Sequence, residues 1–330
     1  MPSPDRSPRL ALGLDLGGTK VFAGLVDETG AVLRTWRFPT PAQGGGEAIM
    51  QALSTASQEA IAALDPHERE SLVGIGVSSA GHIDPVSGKV LYCTPNLPGW
   101  SGMAIADHLR AAFAAHFPDL VVAADNDGNA ATFGEAWCGG GQGVDNLVMM
   151  TIGTGLGGGI IVDGHLVHGS RAGGAEIGHT ILVPDGLPCN CGQNGCLESY
   201  VSGTALGKAA ARAGHWDPAP SSYQLFQMAR EGDALALGLI REMAEHLATA
   251  IVTIINFVDP ERILLGGGVG EQGDLFLPMV KEAVSRRYGE RGWDPERVRM
   301  AVLGEKAGMI GAAGLVFDRA RRENRTLSEA

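Results

Sequence analysis

The chain has 330 residues, long for one compact core and suited to two domains. Its 37 acidic against 25 basic residues give a net charge of −12, which argues against nucleic-acid partners, although a few glycine amides and one magnesium ion can still hold a phosphate locally. The longest apolar stretch, Leu247 to Val258, is broken by Thr249, Thr253 and Asn256 and falls short of the ~20 residues that a bilayer demands.

Residues 1–9 lack the apolar core of a secretory signal and read as a short disordered tail, which puts the chain in the cytoplasm. Leu10 to Asp15 then reads as a strand, Leu16-Gly17-Gly18-Thr19-Lys20 as a glycine tip, Val21 to Val26 as the return strand and Asp27 to Gly30 as a turn. A helical run is predicted over 47–64, a buried strand over 73–77, a helix near 104–117 and a strand over 120–124. The hairpin pattern then recurs: Leu147 to Ile152, Gly153-Thr154-Gly155, Leu156 to Val162 and a turn at Asp163-Gly164. The shift is a constant 136 residues, from Gly17 to Gly153 and from Asp27 to Asp163, which points to two related half-molecules. A Cys-rich loop follows, then a weak linker around 214–222, a long helix from about Ala234 to Phe257, Ile263 to Gly268, a strand from Val298 to Leu303 and a closing helix from Lys306 to about Arg322. Strands alternating with helices indicate an α/β sheet protein.

Three constellations carry chemistry. Asp15, Gly17, Gly18, Thr19 and Lys20 place a carboxylate at a strand end and a flexible tip beside it; alone this reads equally as a phosphate cradle or an ordinary tight hairpin. Joined by Gly153-Thr154-Gly155 and Gly266-Gly267-Gly268, it favours one triphosphate held by three glycine clusters. Asp125-Asn126-Asp127-Gly128-Asn129 follows a strand and opens a helix, so Asp125 or Asp127 could be a cap, while Asp127 also has the chemistry of a general base for an attacking hydroxyl. His179, Cys189, Cys191 and Cys196, spaced His-x9-Cys-x-Cys-x4-Cys, make a closed tetrahedral zinc set with no place for a catalytic water, hence structural zinc. Cys93 and Cys138 lie outside it and read as core residues. Glu176 and Glu198 flank the cluster and could clamp a sugar through its hydroxyls.

Asp15-x-Gly-Gly-Thr-Lys20, Thr94-Pro-Asn-Leu-Pro-Gly-Trp100, Asn126-Asp127-x-Asn129-Ala-Ala131, Gly153-Thr-Gly155, Glu176-Ile-Gly-His179, Cys189-x-Cys191-Gly-x-x-Gly-Cys196-x-Glu198 and Leu265-Gly-Gly-Gly268 together resemble the repressor, open reading frame and kinase (ROK) family, in its bacterial glucokinase branch. The resemblance implies the actin-like ATPase (ribonuclease H-like) fold, two lobes closing on sugar and ATP, with the last helix crossing back to the first lobe. The expected lobes are 1–124 with 306–330, and 125–305. It implies Asp127 as catalytic base, sugar contacts from Gly81, Asn96, Asn126, Glu176, His179 and Glu198, phosphates and Mg2+ at the two hairpin tips, and the nucleoside against Gly266 to Gly268. His179 would ligate zinc through one ring nitrogen and serve the sugar through the other. Family members are commonly dimers or tetramers. Where many carry Pro-Gly, this chain has Ser78-Ser79-Ala80-Gly81-His82-Ile83-Asp84, with Gly81 and Asp84 still in place. The first hairpin begins near residue 10, which leaves no room for the helix-turn-helix of the family's repressors. The expected reaction is phosphorylation of a hexose at its 6-hydroxyl, most readily glucose; the alternatives are N-acetylmannosamine, N-acetylglucosamine or fructose as acceptor, or a non-catalytic sugar sensor.

Overall fold

The computed structural model describes residues 8–94 and 97–329. The expected N-terminal tail, up to Ser7, lies outside the described residues, as does Asn96. In chain order the elements are β1 (Leu10–Leu16), β2 (Lys20–Asp27), β3 (Val32–Pro39), α1 (Gly45–Ala62), α2 (Pro66–Glu70), β4 (Leu72–Ser79), β5 (His82–Asp84), β6 (Lys89–Tyr92), α3 (Ile105–Phe113), β7 (Val121–Asn126) and α4 (Asp127–Cys138). There follow β8 (Leu147–Ile152), β9 (Leu156–Val162), β10 (His165–Leu166), α5 (Glu198–Val201), α6 (Gly203–Ala213), α7 (Ser222–Arg230), α8 (Ala234–Val258), β11 (Arg262–Gly266), α9 (Gly267–Gly270), α10 (Gly273–Tyr288), β12 (Val298–Met300) and α11 (Ala307–Glu329).

The repeat of the hairpin extends to whole sheets. One runs β3-β2-β1-β4-β7 and the other β10-β9-β8-β11-β12, each an antiparallel three-strand meander followed by two parallel strands. Two differences from the sequence reading stand out. The strand expected over 298–303 stops at Met300, after which the Ala301 N–H still donates to Leu265 O at 2.9 Å. The chain also separates into two compact units, one holding residues up to Cys138, His168–Gly174 and everything from Lys306, the other Gly139–Val167 and Ala175–Glu305. Residues 125–138, assigned above to the second lobe, therefore fall in the first unit, where α4 lies against α11.

In the first unit the sheet's two faces follow from the two-residue period of a strand. Leu12 and Leu14 of β1 and Ile75 and Val77 of β4 face α1 and α3, where Ile49, Leu53, Ile105 and Leu109 complete a dry core. The alternate positions are glycines. A side chain at Gly76 would sit 1.9 Å from the Ala312 carbonyl oxygen, and one at Gly13 2.0 Å from that of Met309. Helix α11 thus rests on bare sheet backbone, a spacing that only glycine permits. In the second unit, α8 lies in a core with α7 and α10. Asp233 starts α8 by accepting the Leu235 and Ala236 N–H groups at 2.9 Å. The 214–222 stretch joins two helices: Gly214 ends α6 in the left-handed conformation and Ser221 caps α7. Among the described residues no helix is long and apolar enough to cross a membrane.

The glycine seat of α11 yields the first prediction. Gly76→Ala meets helix backbone, which cannot turn aside as a side chain can, and should destabilise the protein by about 2–3 kcal/mol in thermal or urea unfolding. Gly238→Ala, at a mid-helix position with nothing within 4 Å of the added carbon, should instead stabilise by roughly 0.5–1 kcal/mol.

Candidate active site

Parallel pairing delivers the first unit's polar residues in a row. Asp15 of β1 pairs with Ser78 of β4, which pairs with Asp125 of β7; one step on, Leu16, Ser79 and Asn126 align. All lie at the carboxyl ends of their strands, where an open parallel sheet presents its ligand-binding edge. The Ser78 hydroxyl donates to Asp15 Oδ1 at 2.7 Å, and the backbone of Gly308, in the first turn of α11, closes on the same carboxylate. Burial pushes the Asp15 pKa up and the nearby Asp127 carboxylate adds to the rise; the Ser78 bond and Lys20 oppose them, and the net value is about 6.

The cap of α4 is neither aspartate. Asn126 Oδ1 accepts the N–H groups of Gly128 at 2.8 Å and Asn129 at 3.2 Å, while its Nδ2 donates to Gly81 O at 3.0 Å. Gly81 has φ +106, and a side chain there would strike the Tyr92 carbonyl oxygen at 2.5 Å. Asp127 is left as the first residue of the helix, exposed to solvent, with Oδ1 accepting the Gly128 N–H at 2.9 Å. Desolvation by the surrounding protein raises its pKa, against the lowering effect of the Gly128 N–H. A carboxylate whose surroundings disfavour its ionised form is suited to accepting a proton.

At the first hairpin tip, the Gly17 N–H closes the turn on Lys20 O at 3.0 Å, and Gly18, Thr19 and Lys20 are exposed. The second tip repeats this, with the Gly153 N–H on Gly155 O at 2.9 Å. It is also gripped from behind: the Gly203 N–H donates to Gly153 O and the Thr204 hydroxyl to Thr154 O, both at 2.7 Å. Gly267, at φ +81, packs over the Ile152 carbonyl. The structure therefore brings Gly153 to Gly155 and Gly266 to Gly268 together in the second unit and adds Ser202-Gly203-Thr204 to them. The sequence signal for that addition was an N-cap serine before a small-residue helix, too common to single out.

His179, Cys189, Cys191 and Cys196 meet as expected, with their ligand atoms all within 4.8 Å of one another. Cys191 Sγ and Cys196 Sγ are 3.6 Å apart, and Cys189 Sγ is 3.7 Å from His179 Nδ1. The thiols are too far apart for a disulfide at ~2.05 Å. Zinc–sulfur bonds of about 2.3 Å set tetrahedral edges near 3.7 Å, so the donor set fits that ion in type and size. Gly195 makes the loop possible, because a side chain there would lie 1.7 Å from the Val183 carbonyl oxygen. His179 turns Nδ1 to the thiols and Nε2 toward Glu176 Oε2, 4.0 Å away. Glu198 is committed more than the sequence indicated: its Oε2 accepts the Leu156 N–H at 2.8 Å, which ties the cysteine loop to the second hairpin.

The raised pKa of Asp15 makes a stability prediction. In the unfolded chain this carboxyl ionises near 4, but in the folded ligand-free protein near 6, so the fold gains from the protonated group and loses that gain as pH rises through about 6. Asp15→Asn, permanently neutral and still an acceptor for Ser78, should be more stable than the parent at pH 7–8 by up to about 3 kcal/mol, the difference vanishing below about pH 4. Melting temperatures of both proteins across pH 4–8 measure this.

Residues 11–319 match the ROK family. A glucokinase from Streptomyces coelicolor is 36 % identical over 93 % of this chain and 97 % of its own, and an N-acetylmannosamine kinase from Yersinia pseudotuberculosis is 34 % identical over 92 % and 96 %. The crystal structure of a ROK family glucokinase from Streptomyces griseus, in complex with glucose and AMPPNP, superimposes with a TM-score of 0.78 at 35 % identity, covering 94 % of this chain and 99 % of that one. The two-sheet architecture is accordingly the actin-like ATPase fold, and the chain belongs to the ROK family of sugar kinases.

Proposed function

We propose that this protein is an ATP-dependent hexose kinase that phosphorylates the 6-hydroxyl of glucose. The observation that carries the reading is Asp127, a solvent-open carboxylate of raised pKa at the carboxyl edge of the first sheet, beside Asp15. Asp127 accepts the hydroxyl proton as the sugar oxygen bonds to the γ-phosphorus; the bond from that phosphorus to the β,γ-bridging oxygen breaks and ADP leaves. Asp15, Lys20 and the tip residues Gly17, Gly18 and Thr19 hold phosphates and Mg2+, which when bound neutralises oxygen charge on the phosphates. Gly153, Thr154 and Gly155 hold phosphates from the second unit, and Gly266, Gly267 and Gly268 lie against the nucleoside. Gly81, Asn96, Asn126, Glu176, His179 and Glu198 receive sugar hydroxyls. Asn126 Nδ2 donates to Gly81 O at 3.0 Å, and Glu198 accepts the Leu156 N–H on Oε2 at 2.8 Å and the Cys189 thiol on Oε1 at 3.7 Å.

Zinc, held by His179, Cys189, Cys191 and Cys196, is structural in this reading: four protein ligands complete its shell and fix Glu176, His179 and Glu198. The protein works in the cytoplasm as a homodimer or homotetramer. A second reading, an N-acetylmannosamine kinase, draws on the relative of that name, which is nearly as similar as the glucokinase.

Two measurements test these assignments. Glucose, mannose, fructose, N-acetylglucosamine and N-acetylmannosamine are compared as acceptors with MgATP; glucose should give the highest kcat/KM, and Asp127→Asn should lose about 100- to 10,000-fold in kcat while still binding sugar. Preference for an acetylated sugar would select the second reading, and an Asp127→Asn enzyme of undiminished turnover would remove the base. Purified protein should also carry about one zinc per chain, with Cys191→Ala failing to accumulate as folded protein. A metal-free, fully active enzyme would end the zinc assignment.

A further inference from the structure

We propose that His168 is a positioning residue for the Asn126–Asp127 corner, acting through the Asp125 carboxylate. The proposal rests on Asp127 being the catalytic base. His168 lies in the 168–174 segment, which leaves the chain of the second unit and packs with the first. Its Nε2 is 2.6 Å from Asp125 Oδ2, and Asp125 is only 2 % exposed. The other oxygen of Asp125 accepts two donors, the Asn126 N–H at 2.7 Å and Asn129 Nδ2 at 3.0 Å. One buried carboxylate therefore gathers His168, the backbone of Asn126 and the side chain of Asn129.

Each partner has a reason to depend on that carboxylate. Asn129 Oδ1 is buried without a hydrogen-bond partner, so the amide is oriented by its bond to Asp125. Asn126 spans the corner, with Oδ1 capping α4 and Nδ2 on Gly81 O, and its own N–H is the third point of attachment. Asp127 is the next residue, with Oδ1 accepting the Gly128 N–H and the carboxylate taking a hydrogen bond from the Asn126 side chain, so its carboxylate goes where the corner goes. Without His168, Asp125 Oδ2 is a buried anionic oxygen with no donor. The carboxyl must then turn to find another donor, and that movement disturbs the two bonds to its other oxygen.

The surroundings favour a persistent pair. Burial pulls the His168 pKa down, but the hydrogen bond and charge of Asp125 outweigh it; Asp84 adds to the rise, Arg322 opposes it, and the net shift is upward. The imidazole can donate from Nε2 in its charged form and in one neutral tautomer, so the donor persists through neutral pH. The segment is pinned a second time at Gly173, where a side chain would lie 2.9 Å from the His82 ring, itself tilted against Tyr92. At 2.6 Å and out of bulk solvent, the His168 bond is the short, charge-assisted kind that fixes geometry.

The test compares His168→Ala, His168→Gln, Asp127→Asn and the parent by steady-state kinetics on the best sugar of the panel above, together with melting temperatures. Gln places an N–H donor close to where Nε2 stands and cannot carry charge. His168→Ala should lower kcat about tenfold to a hundredfold with KM for ATP within about twofold of the parent, and His168→Gln should return kcat to within about threefold. His168→Gln, which restores the donor, should also melt closer to the parent than His168→Ala. Parent-like kcat in His168→Ala beside an inactive Asp127→Asn would overturn the proposal and leave the base standing. Equal loss in Ala and Gln variants, tracking a fall in melting temperature, would reduce His168 to a structural contact and also overturn it. Turnover by Asp127→Asn, or none on any panel sugar, would remove the base itself and the proposal with it. Should His168→Ala fail to fold, His168→Asn, whose amide falls short of Asp125, replaces it with the same outcomes.

Discussion

The register of three parallel strands is the constraint from which the first half of the site follows. Because β1, β4 and β7 pair in parallel, Asp15, Ser78 and Asp125 stand side by side, and the chain leaves β7 at Asn126 directly into α4. Parallel strands need crossovers on a face of the sheet, and here one face is closed by α11 lying on Gly13 and Gly76 with no side chains between. That close approach brings the first turn of α11 to the Asp15 carboxylate, where Gly308 again leaves no room for a side chain. A slip of one residue in any of these strands would turn Asp15 or Asp125 to the opposite face. Register and glycine seat thus determine together where the carboxylates point.

The second unit solves the equivalent problem with cross-links. Its sheet repeats the strand order of the first, but its hairpin tip is held by groups from the loop and helices that follow. Glu198 accepts the Leu156 N–H, Gly203 donates to Gly153 O, and the Thr204 hydroxyl donates to Thr154 O. Glu198 is two residues from Cys196, so the geometry of the thiol cluster reaches the tip through a single side chain. A loop without helix or strand of its own, zipped by Cys189 N–H to Gln193 O and Gly195 N–H to Leu187 O, gains rigidity from its donor set that hydrophobic burial does not supply.

Much of this was legible in the order of residues, and the limits have a physical cause. The 136-residue repeat showed because glycine tips and apolar strands are local patterns that duplication preserves. The thiol cluster showed because all four of its ligands lie within 18 residues, 179 to 196, and no other use suits them. The sequence left Asp125 or Asp127 open as the cap of α4; asparagine and aspartate cap equally well, and only the geometry gives the place to Asn126. Contacts made at long range left no trace: Ser78 bonds Asp15 across 63 residues and His168 bonds Asp125 across 43. A histidine in a glycine-rich loop has no periodicity or metal-ligand spacing to mark it. The end of the strand at Met300 was missed for a related reason, since Ala301-Val302-Leu303 has strand composition while the register with β11 runs from Val298 to Met300.

The acidic character of the site is itself an argument about its ligands. Burial raises the cost of ionisation at both Asp15 and Asp127, and the Asp127 charge adds to it at Asp15. A sheet edge selected for stability alone would carry asparagine or serine there, and Ser78 shows that the smaller hydroxyl fits the row. Retaining two carboxylates that the ligand-free fold tolerates poorly makes sense when a bound group recovers the loss. Under the proposed function, a divalent cation would do this at Asp15 by favouring the ionised form, and a hydroxyl surrendering its proton would do it at Asp127. The pair at Asp125 and His168 differs in kind, because its charge is already matched within the protein and need not be repaid by a ligand. Asp127 is exposed at the carboxyl edge of the first sheet while Asp125, matched by His168, lies buried behind it, and in the proposed function that division separates a group that would do chemistry from one that holds it in place.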